Sequence, residues 1–175
     1  GVSIGNASME FIREHGFQPL IPKAEGLLDK YGEKIIVPKD LAYVRDGKRI
    51  ETGTAAIPDR YGMEDIGSGT IALYRKLIAS AESIFVNGPM GIFEKAGAEV
   101  GTREIWSAVA ESKAVTIIGG GDSITAANRF GVAGDISHIC TGGGALIRFL
   151  SGEELPAVTA LRHAAEKFGA SALLE

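Results

Sequence analysis

Ile117-Ile118-Gly119-Gly120-Gly121-Asp122-Ser123 runs from an apolar strand into three glycines and then into residues that suit the first turn of a helix. A β-branched run too short for a helix, ending in glycine and followed by a helical pattern, is the strand-to-helix step of a parallel sheet. The same step occurs twice more, at Phe85-Val86-Asn87-Gly88-Pro89 and at Ile139-Cys140-Thr141-Gly142-Gly143-Gly144-Ala145. In an open parallel sheet the carboxyl ends of the strands share one edge, so the three glycine turns are expected to converge on one crevice.

Working outward, the strand candidates are Ile35-Ile36-Val37, Ser83-Ile84-Phe85-Val86, Ala114-Val115-Thr116-Ile117-Ile118 and Ser137-His138-Ile139-Cys140, each read as buried on both faces. Helical periodicity fills most of the gaps. Thr70 to Ala79 places Ile71, Tyr74, Leu77 and Ile78 on one face, and Thr102 to Ser112 does so with Ile105, Trp106 and Val109. Pro156 to Phe168 aligns Val158, Leu161, Ala165 and Phe168 and opens on a first-turn proline. These faces are expected to pack on the sheet, and Gly131, Gly152 and Gly169 fit left-handed C-terminal caps. Ala42 to Arg45, Asp46-Gly47 and Lys48 to Glu51 carry the signal of a hairpin with a type I′ turn. The fold class is α/β: a three-layer αβα, open parallel Rossmann-like sheet with a small hairpin excursion, forming one domain over residues 1–175. The opening Gly1-Val2-Ser3-Ile4-Gly5-Asn6 reads as a turn leading to a short helix, Ala7 to His15, with no strand before it, so the chain reads as starting partway into a domain.

Composition narrows the partners. A formal net charge of -4 without blocks of like charge offers no footprint for nucleic acid and no basic face for a membrane. One cysteine, Cys140, excludes an internal disulfide and a cysteine zinc site, and suits a reducing cytosol. No apolar run reaches the roughly eighteen residues of a membrane span, and no leader pattern appears. A small ligand remains.

Glycines let backbone approach an anion closely, and first-turn amides have no internal partner, so Gly142 to Gly144 before Ala145 suits a phosphate. A tight turn alone would explain one such loop. Asp122 suits either an N-cap or a Mg²⁺ anchor, since that ion needs only one or two protein carboxylates beside phosphate oxygens and water. Glu94 suits ribose hydroxyls or a plain solvated surface. Gly67-Ser68-Gly69-Thr70-Ile71-Ala72 matches a dinucleotide pattern but follows no apolar strand, and no Walker A sequence occurs. His138 and Cys140 read as strand residues, Cys140 as inert packing, and His15 and His163 as residues near helix C-termini.

Asn87-Gly88-Pro89-Met90-Gly91-Ile92-Phe93-Glu94, Gly119-Gly120-Gly121-Asp122-Ser123 and Ile136-Ser137-His138-Ile139-Cys140-Thr141-Gly142-Gly143-Gly144-Ala145 resemble the phosphoglycerate kinase family in motif, order and spacing. The resemblance extends through Gly152 to Val158 and the last helix, and Met90 with the short loops looks like archaeal members. It implies the nucleotide-binding C-terminal domain of a two-domain glycolytic kinase that moves phosphoryl between 1,3-bisphosphoglycerate and ADP, giving 3-phosphoglycerate and ATP. By position it implies nucleotide contacts at Asn87, Gly88, Pro89 and Met90, with Phe93 nearby and Glu94 on the ribose. It also implies phosphate contacts at Gly120, Gly121 and Ser123, Mg²⁺ at Asp122, and amides of Gly142, Gly143 and Gly144 facing the transferring phosphoryl. Ser123 stands where many members have threonine, and Cys140 where serine is common. The phosphoglycerate domain, the family's catalytic arginine and the first elements of the nucleotide domain have no counterpart in this sequence, so the chain is expected to be inactive alone. A stand-alone adenine-nucleotide binding module without catalysis and a Rossmann-type dehydrogenase are the alternative functions.

Overall fold

In a computed structural model of the chain, which describes residues 4–169, helices and strands alternate around two small sheets. Helices α1 (Asn6–Glu14) and α2 (Ile21–Tyr31) come first, followed by strands β1 (Asp40–Arg45), β2 (Lys48–Gly53) and β3 (Asp65–Ile66). Then come α3 (Ser68–Ser80), β4 (Ser83–Asn87), α4 (Val100–Glu111), β5 (Val115–Gly119), α5 (Gly121–Arg129), β6 (His138–Cys140), α6 (Gly143–Leu150) and α7 (Pro156–Phe168). β4, β5 and β6 form a parallel sheet in that order, registered as Phe85 to Ile117 and Asn87 to Gly119, with Gly119 beside Cys140. The α/β class and the parallel sheet expected from the sequence are present. Residues 1–3 of the expected opening turn lie outside the described residues.

The core lies against the central strand. Ile118, Phe93, Ile105, Trp106, Val109, Ala126 and Ala127 are buried, and Tyr74, Ile78, Ile84 and Val86 pack against them. α4 buries more residues than any other described helix, with Thr102, Ile105, Trp106 and Val109 turned inward. Its periodicity was sufficient to predict this, because spacings of three and four residues fall on one side of a helix.

The hairpin is as expected. Asp46 at φ 50° and Gly47 at φ 71° give the two positive dihedrals of a type I′ turn, which matches the twist of the flanking strands. The structure adds β3, which pairs with β1 to complete a three-stranded antiparallel sheet of order β2-β1-β3. Gly131, Gly152 and Gly169 all have positive φ, as helix-ending glycines do.

Four expectations are corrected. Ile35, Ile36 and Val37 form no strand: they are exposed, and among the described residues their one hydrogen bond beyond local turns is that which the Tyr74 hydroxyl donates to the Ile36 carbonyl at 3.0 Å. An apolar run becomes a strand only beside a hydrogen-bonding neighbour, and no described strand lies there. β4 is not covered on both faces, since Phe85 is 41% exposed at the sheet's outer position. The apolar side of α7 does not reach the core: no α7 residue is buried, and Leu161 and Phe168 are exposed. His163 sits in the middle of α7 rather than near its end. The sequence reading also passed over α2, whose Leu27, Leu28 and Tyr31 are all exposed.

Candidate functional site

The three glycine turns meet. An added Cβ on Gly143 would stand 2.5 Å from the Gly120 Cα and 2.6 Å from its nitrogen, so the turn before α6 lies directly on the turn before α5. Gly120, at φ 91°, approaches Asn87, whose Oδ1 would be 3.1 Å from an added Cβ. The Gly88 amide donates to the Ser123 hydroxyl oxygen at 2.7 Å, joining the turn after β4 to the first turn of α5. Two of these contacts require glycine: no side chain fits at Gly143, and at Gly120 the dihedral is left-handed.

The first turns of the helices are not alike. At α3 the first-turn amides are satisfied by protein carboxylates. Asp40 accepts from the amides of Gly69 at 2.8 Å and Thr70 at 2.6 Å, and from the Thr70 hydroxyl, while Glu51 accepts from the Ser68 amide at 3.0 Å and its hydroxyl at 2.6 Å. An added Cβ at Gly67 would fall 2.4 Å from the Asp40 Cγ, so the Gly67-Ser68-Gly69 glycines make room for a carboxylate of the protein itself. The anion place that a dinucleotide would need at that helix is filled. Partial burial alone would raise the Asp40 and Glu51 carboxyls, but these hydrogen bonds outweigh it and hold both below the ordinary carboxylate range.

At α5 and α6 the N-cap residues are glycines, and no cap from a side chain is seen among the described residues. The N-cap of α5 is Gly120 and that of α6 is Gly142, so Asp122 is not an N-cap: it stands exposed in the first turn of α5. Gly144 and Ala145 border an open cavity of about 580 Å³ with Arg148, Leu155 and Pro156. Backbone donors without side-chain partners, next to an exposed carboxylate, suit an anion accompanied by a divalent cation.

The residues singled out from the sequence fall into distinct places. Asn87, Glu94, Asp122, Gly142 and Gly144 are exposed, and Gly88, Pro89, Met90, Gly120 and Cys140 are half-buried. Phe93 is in the core, edge-on to Phe130 with the Arg129 guanidinium over its ring, and Ser123 is fully buried. Gly143 is buried by Gly120. His138 is exposed at the start of β6, and His15 ends α1 with Nδ1 2.9 Å from the Phe11 carbonyl.

Sequence reasoning missed what fixes the segment between β4 and α4. The Ile92 amide donates to the Glu64 carbonyl at 2.8 Å, and the Gly101 amide donates to Asp65 Oδ2 at 2.7 Å. Asp65 also accepts from the Ile66 amide and from Arg49, whose guanidinium further donates to the carbonyls of Gly97 at 2.9 Å and Ile66 at 2.6 Å. Burial pushes the Asp65 carboxyl up, against the opposing pull of these donors. No local spacing announces such a pair, because its members lie on separate strands.

An open parallel sheet with glycine turns gathered at the carboxyl ends of its strands defines an αβα fold of the Rossmann-like class. The sequence profile described as phosphoglycerate kinase matches residues 1–153, and the chain belongs to that family. It is 44% identical over 161 residues to the phosphoglycerate kinase of Methanothermobacter thermautotrophicus, covering 92% of this chain and 39% of that protein. It is 41% identical over 170 residues to the one from Thermoplasma volcanium, covering 96% of this chain and 41% of that protein. The crystal structure of phosphoglycerate kinase from Pyrococcus horikoshii OT3 superimposes with a TM-score of 0.87 at 38% identity, over 95% of this chain and 42% of that one. That from Coxiella burnetii does so with 0.76 at 32% identity, over 89% and 44%. The chain therefore spans about two fifths of the length of the relatives it matches.

Proposed function

We propose that this chain carries the nucleotide side of phosphoglycerate kinase, which passes a phosphoryl group between 1,3-bisphosphoglycerate and ADP to give 3-phosphoglycerate and ATP. The observation that carries this reading is the contrast among the helix ends: α3 is closed by Asp40 and Glu51, whereas α5 and α6 bring uncapped amides to one place beside Asp122. Family membership and the pairing of the glycine turns support it further.

In this reading Asn87, Gly88, Pro89, Met90 and Glu94 line the nucleoside side, with Phe93 holding their segment from the core. Gly120, Gly121 and the first turn of α5 offer amides to the phosphates, and Gly142, Gly143 and Gly144 direct theirs to the phosphoryl in transfer. Asp122 is the residue that would hold Mg²⁺. Among the described residues no group of three acidic, histidine or cysteine side chains could enclose a metal, which fits an ion whose other ligands come from phosphate and water. When bound, Mg²⁺ neutralises charge on the phosphate oxygens. The residues need supply no covalent nucleophile, because positioning and charge stabilisation account for most of the catalysis of phosphoryl transfer. The phosphoglycerate is held by parts of the kinase beyond these residues, and closure over both substrates excludes water, so the 175-residue chain binds nucleotide without turnover. The protein acts in the cytosol, with adenine nucleotide rather than nucleic acid or membrane as its partner.

Calorimetric titration of Mg-ADP into the chain, with Asp122→Ala alongside, tests this. Magnesium-dependent binding that weakens at least about tenfold in the variant is expected, since one lost metal carboxylate is worth more than the roughly 1.4 kcal/mol of a tenfold change. A folded wild-type chain that binds no Mg-ADP, or a variant that binds as tightly as the wild type, would overturn it.

A further inference from the structure

We infer that Thr102 and Trp106, one turn apart on α4, are positioning residues that fix two of the glycine turns to a single helix. This inference rests on the nucleotide reading above for its functional meaning, but on geometry for its content. The Met90 amide donates to the Thr102 hydroxyl oxygen at 3.2 Å. The Trp106 indole N–H donates to the Ser123 carbonyl at 3.2 Å. Ser123 closes the circuit, since its hydroxyl oxygen accepts from the Gly88 amide at 2.7 Å. Thr102 and Ser123 are completely buried and Trp106 is 1% exposed, so none of the three presents a surface to a ligand.

Residues four apart on a helix lie on the same face, so Thr102 and Trp106 reach the two turns from a common rail. Thr102 holds the segment after β4 at Met90, and Trp106 holds the first turn of α5 at Ser123. A buried hydroxyl or indole N–H exchanged for an apolar group leaves its partner unsatisfied, which loosens the attached backbone more than it changes the bulk of the core. In this framework the Ser123 side chain accepts from the Gly88 amide and acts through it.

The α4 framework is tested in the 175-residue chain with Thr102→Val, which keeps the shape and removes the acceptor, Thr102→Ser, which restores it, and Trp106→Phe, which keeps an aromatic ring without the donor. Amide hydrogen exchange at Gly88, which donates to the Ser123 hydroxyl, and at Met90, which donates to Thr102, is read together with Mg-ADP affinity. In Thr102→Val, Met90 should exchange at least about tenfold faster while the α4 amides stay protected, and Thr102→Ser should return it to the wild-type rate. Affinity for Mg-ADP should fall about tenfold in Thr102→Val and in Trp106→Phe and recover in Thr102→Ser. Should Thr102→Val fail to fold, Trp106→Phe carries the same test at Gly88, whose amide is held by the Ser123 side chain. Unchanged exchange at Met90 in Thr102→Val and at Gly88 in Trp106→Phe overturns the inference, as does unchanged affinity in variants of a chain that binds. If exchange responds as expected but the wild-type chain binds no Mg-ADP, the framework stands and the nucleotide reading fails.

Discussion

Asp40 shows how much of this molecule is decided by where a single carboxylate lies. It precedes α3 by almost thirty residues, yet its two oxygens take the Gly69 and Thr70 amides that would otherwise be open. Its carboxyl is held below the ordinary range by those bonds, against the opposing effect of partial burial. A depressed folded-state value means that the contribution is complete above the unfolded value and disappears as pH falls through the folded one. Urea unfolding followed from neutral into acid pH should therefore show a loss of stability on the acid limb that is smaller in Asp40→Asn. At neutral pH the same variant should be less stable by about 1 kcal/mol, because the carboxamide sets a donor in place of one of the two oxygens that accept from Gly69 and Thr70. An Asp40→Asn chain with the wild-type acid limb would show that the carboxylate does not act as this helix's cap. From the sequence, the glycines around Ser68 were visible but their purpose was not. Glycine before a helix permits an anion to approach, and only coordinates tell whether that anion is a ligand or the protein's own Asp40.

Between elements, the antiparallel sheet is fastened to the segment after β4 by Arg49 and Asp65. Asp65 has no exposed side-chain surface and Arg49 has 15%, so cutting one partner strands the other in a poorly solvated place. Arg49→Met should lower the unfolding free energy by about 3 to 5 kcal/mol in denaturant titration, and Arg49→Met with Asp65→Leu should regain part of that loss. A loss below about 1 kcal/mol for the single variant would mean that the pair behaves as a surface ion pair. The strands and helices on either side were legible because their signals are local: the glycine turns, the Asp46-Gly47 pair and the apolar spacing of α4 each specify geometry within a few residues. The Arg49–Asp65 pair, the carboxylates at α3 and the Thr102 and Trp106 bonds were not, since each joins residues whose proximity follows only from the completed fold. Ile35 to Val37 marks the same limit from the other side, for apolar content announces a wish for burial without naming the neighbour that would satisfy it.

Across the whole molecule, apolar surface is distributed unevenly. Around α4 and the carboxyl half of β5 the packing is tight, with Ile105, Trp106, Val109 and Ile118 buried, while α1, α2 and α7 bury no described residue and β4 has a strand neighbour on one side only among the described residues. Beside β4 lies a largely apolar cavity of about 380 Å³ lined by Tyr74, Leu77, Ile78, Ile84, Phe85 and Ile105. An open strand edge next to apolar side chains invites pairing with another chain. Light scattering over a range of concentrations should show a mass that rises with concentration, and a single monomeric mass throughout would count against this. At the opposite extreme stands the hairpin tip. Asp46 and Gly47 are exposed, and their turn joins β1 to β2. Chain termini joined at such a tip interrupt no core packing. The tip is accordingly where a guest sequence, whether an affinity handle or a whole reporter domain, can be spliced into this chain with its two ends already held side by side by the ladder below.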